Sequence, residues 1–167
     1  MNIAVQLEPV ADSPPEVEYR WDPDTDILTA NIRTALLADD TASGSVEIEG
    51  TDGSWLILDL AGGLVRGVEV AVWPDVRTRA TLAPPSEAID AVVRVPSRKR
   101  VGVEAFEMDT EVAAETDEAE RTIHFRVGPQ RKARSVRIAR DILLDVDPRD
   151  RIAGVWLLGV PPFPGDQ

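Results

Sequence analysis

The sequence predicts an all-β fold made of two pseudo-equivalent β-meander repeats, packed as a sandwich or a barrel-like pair of sheets, with little helix. Three observations predict it. Apolar residues alternate with polar ones along short segments, turn-forming residues separate those segments, and the clearest segments occur twice in the same order. With 167 residues, 43% of them hydrophobic, the chain is long enough to bury a substantial core.

The alternation has the period of two that is typical of half-buried strands. Residues 17–21 and 123–127 show it clearly, each with three apolar side chains on one face. The segments 55–58 and 142–144 are instead continuously apolar. We expect these last two strands to be covered on both faces.

An internal repeat relates the two parts of the chain. The segment 57–68 aligns with 143–155, with one residue inserted in the turn, and 45–48 aligns with 135–138. Each copy consists of an acidic turn, a strand, a loop, a strand, a tight turn and a closing strand. Several matches in the same order favour duplication over chance.

Glycine and proline residues mark the turns and limit the helices. Gly62 and Gly63 provide the positive φ values of a tight hairpin. The 13 prolines and the lack of a long apolar stripe leave only short helix candidates, at 86–91 and 34–39. Alternatively, 88–95 and 101–107 form a further hairpin with its tip at 96–100.

The repeat divides the chain into three parts. The first β-meander copy is 1–76, a connector and hairpin follow at 77–100, and the second copy with an extended proline-rich tail is 101–167. We expect the tail to lie across the body of the protein through Phe163.

The first copy carries a set of short motifs in a fixed order. They are Trp21-Asp22, then 26–28, then the Ile-Leu-Asp strand at 57–59, and a closing segment at 63–69. In these motifs the chain resembles a small bacterial family numbered 2283 among domains of unknown function. The resemblance covers 17–72 and, less fully, 112–158, where Trp156 stands near the position of Glu69. It implies a compact β-meander without assigned catalytic residues, and some relatives are suspected of being antitoxin-like.

The net charge of −12 lies entirely in the first half of the chain. Residues 1–75 hold 3 basic and 15 acidic residues, whereas 76–167 hold 15 of each. Such a field repels nucleic acid and favours a basic partner. No segment has the length and hydropathy of a membrane span, and the N-terminus lacks the pattern of a signal peptide, so we expect a cytoplasmic protein.

Most catalytic and metal-binding arrangements are excluded by residue type. The chain has no cysteine, and its one histidine, His124, has no second histidine for a metal. The spacing of Asp22, Asp24 and Asp26 is that of a calcium loop, but Ile27 and Arg33 occupy the two diagnostic positions, which favours an acidic turn. We expect no catalytic residue, no metal and no cofactor.

The basic run at 131–140 is interpreted as a balance for the acidic segment 104–120 rather than as a phosphate site.

Asp59 and Asp145 occupy equivalent strand positions in the two copies. If the copies pack about a pseudo-two-fold axis, the two carboxylates converge and form a binding site; otherwise each accepts hydrogen bonds from the turn that follows it. The four tryptophans are most simply core residues. Trp73 and Trp156 are also candidates for an interface.

The sequence favours a non-enzymatic binding protein, of antitoxin or immunity type, whose acidic first half covers a basic partner. One alternative is a small-ligand or metal-binding module, or a weak hydrolase, that uses Asp59 and Asp145. Another is a self-associating structural protein.

Overall fold

A computed structural model of the chain describes residues 3–10, 12–33, 43–96 and 104–164 and confirms the all-β fold. The strands join into one strongly curled sheet with the shape of a half-barrel. The described residues contain fourteen strands: β1 (Gln6–Pro9), β2 (Val17–Trp21), β3 (Leu28–Ile32), β4 (Ser43–Gly50), β5 (Trp55–Ala61), β6 (Leu64–Val72), β7 (Val76–Thr78), β8 (Ile89–Arg94), β9 (Glu104–Thr110), β10 (Val112–Thr116), β11 (Ile123–Val127), β12 (Arg134–Ala139), β13 (Ile142–Val146) and β14 (Ile152–Leu157).

Two groups of five strands share one spatial order. The first is β2-β3-β6-β5-β4 and the second is β10-β11-β14-β13-β12. In chain order, the first two strands of each group form a hairpin, β2–β3 or β10–β11. The next three form a meander, and its last strand, β6 or β14, pairs antiparallel with the second strand of the hairpin, β3 or β11. We call the first group with β9 the first half-sheet, and the second group with β7 and β8 the second half-sheet.

Two parallel edge strands complete these groups. β9 lies parallel to β4, and β8 lies parallel to β12 at the equivalent edge of the other half-sheet. β8 also pairs with β1, and it meets β6 at Leu64 and Arg94, which joins the two halves. The hairpin predicted between 88–95 and 101–107 is therefore wrong for the described residues, because each strand finds its partner in a different half-sheet.

The short helix predicted at 86–91 is also wrong. Residues Ile89–Arg94 form β8, whose backbone bonds go to β1 and β12. These partners are far away along the chain, and their pairing outweighs the local helix signal from Ser86. The helix predicted at 34–39 and the hairpin tip at 97–100 lie outside the described residues.

The inward faces of the two half-sheets share one apolar core that includes Leu58, Phe125 and Leu144. The prediction of strands covered on both faces is confirmed for 142–144, where all three side chains are fully buried. It is wrong for the strand at 55–58, because Trp55 is 39% exposed. One half-sheet is thus covered outside at this position and the other is open.

An aromatic cluster closes one end of the core. Trp21 stacks on Trp73 with ring centroids 5.6 Å apart, and Trp73 contacts Phe125 of the other half-sheet. Phe163 of the tail packs edge-on against Trp21, and the Trp21 indole donates a hydrogen bond to the Pro161 carbonyl. The tail therefore contacts the body through Phe163, as expected.

Candidate functional site

A serine, an aspartate and a glycine face each other across three strands in both half-sheets. Ser45 pairs with Asp59 and Asp59 with Gly67; Ser135 pairs with Asp145 and Asp145 with Gly154. Each aspartate lies between two buried core residues of its strand, leucines around Asp59 and a leucine and a valine around Asp145, so both point away from the shared core.

The structure does not bring Asp59 and Asp145 together. Asp59 lies on the outer face of the first half-sheet near Arg66 and Glu69, whereas Asp145 contacts His124 and Ser135 on the outer face of the second. No hydrogen bond joins the two carboxylates. The shared site suggested by their equivalence is therefore not formed, because both strands turn these side chains outward.

The outer face of the first half-sheet carries many more acids than bases. We call it the acidic face. The register places seven carboxylates on it: Glu18, Glu47, Glu49, Asp59, Glu69, Glu107 and Asp109. Within the described residues only Glu18 has an ion pair, with Arg33 at 2.7 Å. This face therefore presents a strong negative field to the solvent.

Several of these carboxylates are direct neighbours. Glu47 lies opposite Glu107, and Glu49 lies opposite Asp109, across β4 and β9. Like charges that face each other across two strands destabilise a sheet. Burial and the nearby carboxylate of Asp59 both raise the pKa of Glu69. The register thus places like charges opposite each other at this edge of the acidic face.

Apolar side chains also lie on the acidic face, at the start of β5 and the end of β6. Trp55 pairs with Val72 across β5 and β6, and these side chains are 39% and 47% exposed. Ile57 lies between Glu47 and Glu69 in the next row and is partly exposed. Exposed aromatic and aliphatic side chains beside charged ones are the usual composition of a protein interface.

On the second half-sheet, His124 meets Asp145. The imidazole Nε2 lies 2.8 Å from Asp145 Oδ2, and the Ser135 hydroxyl donates to Asp145 Oδ1 at 3.3 Å. The two residues are on β11 and β13, with β14 between them. Sequence reasoning interpreted His124 as isolated, because its partner is two strands away and 21 residues further along the chain.

The position of Gly154 makes this contact possible. A Cβ atom there would lie 2.5 Å from Asp145 Oδ2 and 3.1 Å from His124 Nε2. The missing side chain lets the aspartate and the histidine reach each other over β14. The alignment of Gly67 with Gly154 was the available sequence signal, but it does not say which side chain would lie across the glycine.

The two tryptophans selected as binding candidates lie in different places. Trp156 is 7% exposed and stacks on His124, with ring centroids 4.1 Å apart. Trp73 belongs to the aromatic cluster, and its indole donates a hydrogen bond to the Asp26 carbonyl at 2.7 Å. The structure brings Asp145 and Trp156 together around His124, and it leaves Asp59 and Trp73 apart from them. Trp55 is the most exposed of the four tryptophans and was missed.

The acidic turn at 22–26 is formed as expected. The Asp24 amide donates to Asp22 Oδ1 at 3.0 Å, and this contact is the main cause that lowers the pKa of Asp22. The expectation that the basic run balances the acidic segment 104–120 is wrong for three of its arginines, whose partners lie elsewhere: Arg131 binds Asp147, Arg134 binds Asp150, and Arg140 lies near Glu16.

Comparison with protein-family models and with curated proteins finds no match for this chain. The resemblance to family 2283 therefore stays a prediction. In the part of the chain that the structure describes, no three His, Asp or Glu side chains group closely enough to hold a metal ion. No helix in that part has the length and apolar character needed to cross a membrane.

Proposed function

We propose that the protein binds a partner protein with a positively charged surface, and that the acidic face is its binding surface. The observation that carries the proposal is the pairing of Glu47 with Glu107 and of Glu49 with Asp109. These pairs have no counter-charge among the described residues. A cationic partner relieves their repulsion when it binds, so the binding free energy includes a gain within this chain.

The exposed apolar side chains on the acidic face support the same proposal. Charged rims guide association and select partners, while buried aromatic side chains supply most of the affinity. Trp55 and Val72 are such exposed apolar side chains, and they lie in the same row as Glu49 and Asp109. A partner that fits has an arginine- or lysine-rich surface around a small apolar patch.

An antitoxin or immunity protein belongs to this class, because it neutralises a partner by covering its surface. The acidity of the first 75 residues supports this role. The resemblance to family 2283 favours it too, as an association only. The hypothesis of a ligand or metal site shared by Asp59 and Asp145 loses its basis, since the two side chains are apart.

The test is affinity capture from the host with the tagged full chain, followed by mass spectrometry and binding measurements on the purified partner. We expect one cationic protein, retained at low salt and released as the salt concentration rises. The Glu49→Lys/Glu107→Lys double variant places opposite charges across β4 and β9, so it is expected to fold and to lose the partner.

The matched control is Glu87→Lys/Glu118→Lys, which makes the same change in net charge at exposed sites outside the acidic face. It should keep most of the affinity. Equal retention of the partner by wild type and by Glu49→Lys/Glu107→Lys would contradict the proposal. Recovery of the bait alone would also contradict it, and light scattering over a range of concentrations would then test self-association.

A further inference from the structure

A cavity of about 220 Å³ opens on the outer face of the second half-sheet. His124, Asp145, Arg79 and Arg126 contribute polar groups to its lining. Gly154 lies between His124 and Asp145 in the register, and these two lining side chains meet over it. The cavity is smaller than the pockets that bind drug-sized molecules, which restricts it to a small ligand.

The hydrogen bonds of His124 fix its orientation. We assign the ring proton to Nε2, because the Asp145 carboxylate at 2.8 Å can only accept a hydrogen bond. In the neutral form of the ring, the lone pair is then on Nδ1. Trp156 holds the ring from one side by stacking, and Ser135 holds the other oxygen of Asp145. Asp145 and Trp156 therefore hold the His124 ring in the wall of the cavity.

Two arginines bring hydrogen-bond donors to the same cavity. Arg79 uses one terminal nitrogen, Nη1, for Glu115 at 3.0 Å. Arg126 uses Nε for the Gly128 carbonyl and Nη2 for Glu111. Their other N–H groups have no partner among the described residues. A guanidinium group with free N–H groups matches the geometry of a carboxylate or a phosphate.

The lining of the cavity differs from the equivalent part of the first half-sheet. Three arginines, Arg79, Arg126 and Arg131, line the cavity, and each forms an ion pair, with Glu115, Glu111 and Asp147 respectively. The positions equivalent to Arg126 and Glu115 in the first half-sheet are Asn31 and Arg20.

We propose that this cavity binds a small organic oxyanion that also carries a hydroxyl group, such as a hydroxycarboxylate or a phosphate monoester. The oxyanion binds the free N–H groups of Arg79 and Arg126. The hydroxyl donates a hydrogen bond to the lone pair of His124. This site does not depend on the acidic face, which is on the other half-sheet.

The test uses the imidazole signals of His124, which are unambiguous in an NMR spectrum because the chain has one histidine. The probes are lactate and glycerol 3-phosphate, with propionate and methyl phosphate as their counterparts without the alcohol. We expect a saturable shift with lactate or glycerol 3-phosphate, with a Kd on the order of 1 mM or tighter. The matching probe without the alcohol should bind about fivefold to tenfold more weakly.

Two variants separate specific binding from surface association. Arg79→Gln removes a side chain that is 60% exposed, so folding is preserved, and affinity should fall about tenfold or more. Arg121→Gln, at an exposed position outside the cavity lining, should bind as wild type does. The proposal is overturned if neither hydroxylated probe gives a saturable shift, or if Arg79→Gln binds as tightly as wild type. The ratio of the lactate and glycerol 3-phosphate affinities shows which oxyanion the cavity prefers.

Discussion

The outer faces of the two half-sheets can be compared position by position, because their strands have the same order and register. Thr29 and His124 are equivalent, and so are Glu69 and Trp156. At the edge, Glu47 faces Glu107 in the first half-sheet. The equivalent pair in the second half-sheet, Arg137 and Asp90, has opposite charges. One face is therefore acidic and open, and the other is nearly balanced and partly covered.

The comparison teaches that the backbone sets where a side chain stands, and its neighbours decide what it can do. Asp59 and Asp145 both lie opposite a serine and a glycine. Burial raises the pKa of Asp59, an effect that Arg66 partly offsets. Asp145 instead binds His124, because the second copy has a histidine where the first has Thr29.

The turns before the last strand of each meander also differ between the two half-sheets. Gly62 and Gly63 make the first turn, with φ values of 58° and 82°. In the second, the Asp147 side chain is 1% exposed and accepts hydrogen bonds from the amides of Arg149 and Arg151 and from the guanidinium groups of Arg131 and Arg151. One turn depends on glycine, and the other on a buried carboxylate.

The largest expected change in stability therefore comes from removing the Asp147 carboxylate. Asp147→Asn should lower the free energy of unfolding by about 3 kcal/mol, because two arginines lose their counter-charge at a buried site. Urea unfolding at neutral pH measures it. The control is Asp150→Asn, whose partner Arg134 is half-exposed, and it should cost less than about 1 kcal/mol. Equal costs for both variants would show that Asp147 is not the centre of this turn.

Lowering the pH should remove the stabilisation that the ionised Asp147 carboxylate contributes. Burial alone would raise the pKa of Asp147, but the Arg151 amide, Arg131 and the Arg149 amide lower it from 3.8 to about 2. A folded-state pKa below the unfolded value stabilises the protein above pH 3.8, and this stability is lost as the pH falls toward about 2. Unfolding curves between these two pH values should show the difference between wild type and Asp147→Asn shrinking by about 2 kcal/mol. A constant difference would contradict this assignment.

Substitution by alanine should cost more stability at Gly154 than at the equivalent Gly67. In Gly154→Ala the new Cβ lies 2.5 Å from Asp145 Oδ2 and 2.7 Å from the Phe125 carbonyl, so we expect a cost of about 2–3 kcal/mol. In Gly67→Ala the nearest atom is the Ala30 carbonyl at 2.9 Å, and we expect about 1 kcal/mol. Urea unfolding gives both values. A shift of the His124 signal in Gly154→Ala alone would show that the contact with Asp145 is broken. A larger cost at Gly67 would reverse the comparison.

The sequence predicted the all-β fold because alternation and turn residues are local signals. It did not predict the strand at Ile89–Arg94, whose partners β1 and β12 are far away along the chain. It also missed the contact between His124 and Asp145, because a contact across two strands follows from the register. Trp55 was expected in the core, since an apolar run does not reveal which face stays open.

The smallest expected effect concerns the edge strands, where a single charge distinguishes the two faces. Glu107→Lys replaces a like-charge pair with Glu47 by an opposite pair, so stability should rise by about 0.5 kcal/mol. At the equivalent edge, Asp90→Lys places a lysine opposite Arg137 and should lower stability by a similar amount. Both effects should shrink as salt is added, because both positions are exposed. A loss of stability in Glu107→Lys would mean that the acids of β4 and β9 do not repel each other. The acidic face would then have no repulsion for a partner to relieve.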